Sequence, residues 1–171
     1  MKRLFYILLL LLFACSDSSN PLSDADDAGI VGASWVFVAN EGNFGSSNGS
    51  VSMINEYGDV ITTVDLGETV QSLEVYNNKL IVLINGNSEM KIFDITESGL
   101  SMPGITMDLN GSGPRELVVV DNKIYFTNWN TQDVKVFNLF NYAFEDGIAM
   151  PGLPEDIIFD PNIFAVATGI E

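Results

Sequence analysis

The side chains able to do chemistry are few, and they recur at a regular spacing. Asn40, Asn85 and Asn128 each close an apolar segment and stand 45 and 43 residues apart. Glu41, Asn43 and Phe44 follow the first. Gln71, Arg115 and Glu155 begin three later apolar segments, and Trp129 follows Asn128. Amides, two carboxylates, one guanidinium and two aromatic rings suit a polar, flat or amide-bearing ligand held by loops on a rigid scaffold. They do not suit common catalysis. The chain has no His and one Cys, so His-based triads and Cys/His zinc sites cannot be built from it. It has no G-x-S-x-G elbow, no Gly-rich phosphate loop and no EF-hand loop. No catalytic residue, metal site or cofactor is therefore expected. Each candidate also has a plainer role. The asparagines serve as turn residues, Trp129 packs on a neighbouring unit, or Arg115 pairs with an acid such as Glu155.

The N-terminus carries a different chemistry. Lys2 and Arg3 precede an unbroken apolar run over residues 4–14 (LFYILLLLLFA). Eleven residues fall short of the ~20 that a membrane-spanning helix needs, and the pattern is that of a removable secretory signal. The run ends Leu12-Phe13-Ala14-Cys15, which resembles the bacterial lipobox. That resemblance implies cleavage before Cys15 and acylation of its thiol and new amino group, which together give stable anchoring. It also accounts for a lone Cys in a secreted chain, which has no disulfide partner. Residues 16–32 (SDSSNPLSDADDAGIVG) are polar, acidic and small, and read as a flexible tether. Residues 1–14 are thus the signal, 15–32 the lipidated Cys and tether, and 33–171 the folded body. Ser16-Asp17-Ser18-Ser19 is similar to the surface-export signal of Bacteroidetes lipoproteins. The expected location is the outer membrane facing the cell surface, with its periplasmic face as the alternative.

Charge narrows the partners. There are 23 acidic and 7 basic residues, a net −16, and loss of Lys2 and Arg3 with the signal takes it to −18. Such a surface repels phosphate backbones, so nucleic acid is excluded, while solubility is favoured.

The body repeats. Trp35–Asn40 (WVFVAN), Lys79–Asn85 (KLIVLIN) and Lys123–Asn128 (KIYFTN) align, and a fourth copy begins at Asn162 (NIFAVATG). A polar turn and a second alternating strand follow each of the first three: Ser50–Asn55, Glu89–Asp94 and Asp133–Asn138. Another strand precedes each of the last three: Val70–Tyr76, Arg115–Val120 and Glu155–Phe159. Weaker closing strands are expected near Val60–Leu66, Ile105–Leu109 and Gly147–Met150. Nothing after the signal has a helical period. A period of 40–50 residues with four strands per unit marks a β-propeller blade, and a β-sandwich with similar strands is the alternative. The fold class is therefore all-β, a propeller of four-stranded antiparallel blades. With strands named A to D from the centre outwards, the chain holds B–D of one blade, two full blades, and A–B of a fourth. That is about three to three and a half blades of an expected seven, so the sequence reads as the N-terminal part of a longer protein.

Gly113-Pro114-Arg115-Glu116-Leu117, running into Asp121-Asn122-Lys123-Ile124-Tyr125-Phe126-Thr127-Asn128, resembles the YVTN-type repeat of YncE-like propellers. Val36–Gly45 (VFVANEGNFG), continuing through Asn48-Gly49-Ser50, is similar to the opening of a Bacteroidetes branch of that family. The second blade departs from the pattern, with Leu83-Ile84-Asn85-Gly86 in place of a Thr-Asn pair. Members are mostly extracytoplasmic, and one group of similar surface lipoproteins captures cobalamin beside a TonB-dependent outer-membrane transporter. The resemblance implies a non-enzymatic binding module for a small molecule such as a corrinoid, or for an outer-membrane transporter. A propeller-type lactonase or metal-dependent hydrolase is the alternative, and a surface assembly scaffold the second.

Because strands in a blade alternate in direction, the A starts, B ends, B–C turns and D–A connections share one face. All ten candidates fall there: Asn40, Glu41, Asn43, Phe44, Gln71, Asn85, Arg115, Asn128, Trp129 and Glu155.

Overall fold

The computed structural model describes residues 35–169; the signal, Cys15 and the tether lie outside the described residues. The described chain is all β, in fourteen strands. β1 (Val36–Asn40), β2 (Ser50–Ile54) and β3 (Val60–Thr62) form the first sheet. β4 (Val70–Tyr76), β5 (Lys79–Ile84), β6 (Glu89–Thr96), β7 (Gly99–Leu100) and β8 (Ile105–Asp108) form the second. β9 (Pro114–Val120), β10 (Lys123–Asn128), β11 (Asp133–Asn138) and β12 (Ala143–Ala149) form the third. β13 (Leu153–Asp160) and β14 (Ile163–Gly169) pair as the fourth. Every pairing is antiparallel, and all join neighbours in sequence except β6 with β8, which skips the short β7. The sheets are propeller blades, with β4, β9 and β13 as adjacent inner strands.

Why the sheets stack is legible in β5. Its run KLIVLI is apolar at every position but the first, as in a strand covered on both faces. Leu80, Val82 and Ile84 face the first blade with Val51, Leu66, Val70 and Phe93. Ile81 and Leu83 face the third blade with Leu117, Ile124, Phe126 and Phe137. Two cores thus fill the two spaces between the first three blades. Toward the fourth, Tyr125 stacks on Phe164 with ring centroids 4.5 Å apart. Tight turns keep the blades in register. At Asp121-Asn122, which joins β9 to β10, both residues take positive φ (50° and 61°), as a type I′ hairpin demands and Asp and Asn tolerate.

Three strands differ from expectation. β6 runs two residues past Asp94 and pairs with the short β7, a strand the repeat pattern does not contain. Ile95 and Leu100 of that hairpin pack on the first core, the Leu100 N–H approaches Met53 Sδ, and Thr96 O accepts from Trp35 Nε1 at 3.1 Å. The hairpin therefore ties the second blade to the first. β3 ends at Thr62, because Thr63 turns its N–H and hydroxyl back onto Val51. β12 starts at Ala143, four residues before the expected closing strand, and carries a bulge.

Candidate functional site

The inner strands share a feature that no sequence pattern announced. Each has a register break at the same repeat position: at Gln71 in β4, at Arg115-Glu116 opposite Thr127 in β9, and at Glu155 in β13. A β-bulge re-aims side chains, and here three successive bulges bring three side chains together. Arg115 Nε donates to Glu155 Oε2 at 3.0 Å, and Nη1 donates to Gln71 Oε1 at 3.0 Å. The guanidinium also lies over the Trp129 ring, 4.2 Å from its centroid. Gln71, Arg115, Trp129 and Glu155 therefore form one half-buried cluster at the start of the inner strands.

The bulge in β9 is held by Thr127. Its buried hydroxyl accepts from Glu116 N at 3.0 Å and donates to Glu155 O at 3.1 Å, joining the third blade to the fourth. This is the Thr of the Thr-Asn pair. In the second blade Asn85 makes the corresponding link, with Nδ2 donating to Pro114 O at 2.8 Å. Asn85 is thus a strut between blades.

The remaining candidates separate from the cluster. Asn40 donates to the Ser50 and Ser52 hydroxyls inside its own hairpin. Asn43 belongs to a turn closed by Asn48. Glu41, Asn43 and Phe44 are solvent-exposed, Phe44 almost completely. No bond joins them to Arg115. Asn128 is fully buried, and Nδ2 donates to Phe126 O within its own strand end. Nδ2 serves the turn, which is the plainer of the two roles considered, while Oδ1 is buried with no hydrogen-bond partner. Arg115 likewise makes the considered ion pair with Glu155, yet that pair does not use up the residue. Guanidinium carries five N–H donors, and the protein partners take two. Beside it, Trp129 Nε1 is buried with no hydrogen-bond partner. A buried donor without a partner costs about 1–3 kcal/mol, so each such group calls for an explanation.

One layer further along the inner strands lie Ser72, Glu116 and Glu74. The Ser72 hydroxyl donates to Glu116 Oε1, which also accepts from Leu117 N. Burial first, and the Glu116 charge second, push the Glu74 carboxyl above its ordinary range. Folding therefore favours the proton on Glu74. The stability this contributes is complete below the ordinary value of 4.5 and is lost as pH rises through the raised value. Glu74→Gln is expected to remove that loss. Its urea midpoint should fall less than the parent's between pH 4.5 and neutrality, whereas parallel profiles would place the effect elsewhere.

Comparison with solved structures agrees on the fold. The chain superposes on a candidate 6-phosphogluconolactonase from Bacteroides uniformis with a TM-score of 0.60 at 14% identity, covering 75% of this chain and 44% of that one. A luciferin-regenerating enzyme matches with a TM-score of 0.61 at 14% identity, over 81% of this chain and 51% of that one. Streptogramin B lyase matches with a TM-score of 0.53 at 14% identity, over 72% and 48%. These are propeller-like proteins, and at such identity the likeness is one of fold. The chain spans about half the length of the structures it matches. No family model matches the sequence, and no curated protein does.

Proposed function

We propose that this is a lipid-anchored envelope protein, of the YncE-like kind its repeats resemble, whose propeller binds a small molecule without turning it over. The observation that carries this reading is Arg115. It is fixed by Gln71, Glu155 and Trp129, and it keeps three N–H donors. A planar guanidinium with unused donors suits a flat, acceptor-rich ligand, and an amide-bearing corrinoid is such a ligand. The anchor at Cys15 would hold the propeller at the outer membrane, where a transporter is a fitting partner.

Cyanocobalamin titrated into the full chain is the test. Saturable binding is expected, weakened at least ten-fold, or about 1.4 kcal/mol, by Arg115→Ala. Cys15→Ser should leave that affinity unchanged while releasing the protein from membranes. Absence of saturable binding, or equal affinity in Arg115→Ala, would sink the reading. The hydrolase alternative is read in the same samples: turnover of δ-valerolactone that requires a divalent cation and Glu155 would replace binding by catalysis.

A further inference from the structure

A second site lies outward from the Arg115 cluster, and its recognition does not depend on the reading above. The β10–β11 turn presents Trp129 to Arg115 and Thr131 to a cavity of about 360 Å³ between the second and third blades. That volume lies within the range of small-molecule pockets. Leu109 and Phe144 give it apolar walls, and Asp133 and Lys135 give it charge.

The repeat shows how the cavity arises. The third strand of each full blade carries an acid, then Lys two residues on: Glu89 and Lys91 in β6, Asp133 and Lys135 in β11. Both pairs are bonded, at 3.2 and 2.9 Å. In the second blade Thr106 stands opposite Lys91, and its hydroxyl accepts from Nζ at 3.0 Å. In the third blade the register breaks opposite Lys135, between the partners of Val134 and Val136. Gly147 occupies that break, where an added Cβ would come 3.0 Å from Val134 O and 3.8 Å from Lys135 Cα. The hydroxyl that caps one lysine thus has no counterpart beside the other. Among the described residues Asp133 is the one hydrogen-bond partner of Lys135 Nζ, which leaves two N–H donors at the cavity.

The two acids differ in where their oxygens are held. Asp133 holds Thr131 Oγ1 at 2.6 Å and Lys135 at 2.9 Å. Glu145 lines the edge of the cavity, but its carboxylate turns to the opposite face of the sheet, where Lys123 Nζ and Asn138 Nδ2 donate to it at 2.7 and 2.8 Å. Each carboxylate oxygen with one donor still accepts another. The cavity therefore offers donors for a carboxylate on Lys135 and an acceptor for an ammonium on Asp133 within one apolar-walled space. A free anion would have to approach a protein of net charge −16, whereas a neutral zwitterion is not repelled.

We propose that the cleft between the second and third blades binds a small zwitterion with an apolar body, of the amino-acid class, with its carboxylate on Lys135, its ammonium on Asp133, and its side chain against Phe144 and Leu109.

L-phenylalanine titrated into the full chain by calorimetry tests this, with hydrogen-exchange mass spectrometry to place the ligand. Saturable binding is expected, with new protection over residues 131–135 and 143–149. N-acetyl-phenylalanine and phenylalanine methyl ester, each lacking one charge, should bind at least ten-fold more weakly. Lys135→Met should do the same to the parent ligand while leaving the Arg115 site's behaviour unchanged. Should Lys135→Met fail to fold, the two analogues and the protection map decide alone. The proposal is overturned if no saturable binding occurs, if the analogues bind as well as the amino acid, or if protection appears elsewhere.

Discussion

Phe126→Ala is expected to lower the unfolding free energy by about 3–5 kcal/mol, the range for deleting a fully buried aromatic side chain. Phe126 is completely buried in β10 and lies in the core between the second and third blades, with Ile81, Leu117, Ile124 and Phe137. The lost ring leaves a cavity bounded by two separate sheets, and neither can close on it without leaving its own register. Urea unfolding followed by circular dichroism gives the measurement, and an unchanged slope would show that the denatured state is unaffected. Phe140→Ala is the matched control. That ring sits in the β11–β12 turn and is almost fully exposed, so its loss should fall within about 0.5 kcal/mol of the parent. If both variants lost stability equally, packing between the blades would not be what holds them together.

The same contrast explains how much was legible beforehand. Blade order and strand positions could be read from the chain because burial imposes a period of two along each strand and the turns impose the 43-residue spacing. In Lys79–Ile84 the alternation disappears, and its disappearance was itself informative: both faces are covered. The convergence of Gln71, Arg115 and Glu155 was half legible. Their equivalent places in the repeat put them on one rim, and the Arg115–Glu155 pair was one considered role. The bulges that turn them toward each other have no local signature, and the one in β9 is held by Thr127, which also bonds across to the next blade. Asn128 illustrates the opposite limit. Its spacing matched that of Asn40 and Asn85, but a repeat fixes position in the strand, and the neighbouring blade decides exposure. Phe44 shares the rim in sequence yet points into solvent on a loop tied by Gly45 N to Glu68 Oε1 at 3.0 Å. Gly147 read as the start of a closing strand. Its effect on Lys135 appears only when the two blades are set side by side.

Thr127→Val is expected to cost about 2–3 kcal/mol despite being nearly isosteric. The methyl that replaces the hydroxyl fills the same space, so no cavity opens. It can neither accept from Glu116 N nor donate to Glu155 O, both near 3 Å in the parent. The hydroxyl is fully buried, so water cannot replace it without opening the strands. A buried polar group left without its partner costs about 1–3 kcal/mol, and two groups are affected at one bulge. For a chain of this size the melting temperature should fall by about 5–10 °C. Thr127→Ser keeps the hydroxyl and gives up one methyl, so it should lose only about 1 kcal/mol. The pair of variants also reads out the site. If the bulge is what aims Arg115 at Gln71 and Glu155, Thr127→Val should weaken cyanocobalamin binding at temperatures where the variant remains folded, and Thr127→Ser should not. Equal affinities in both, with stability reduced in Val alone, would mean that the Arg115 cluster is held by its own ion pair and by Trp129, and that the bulge contributes to the fold without positioning the ligand.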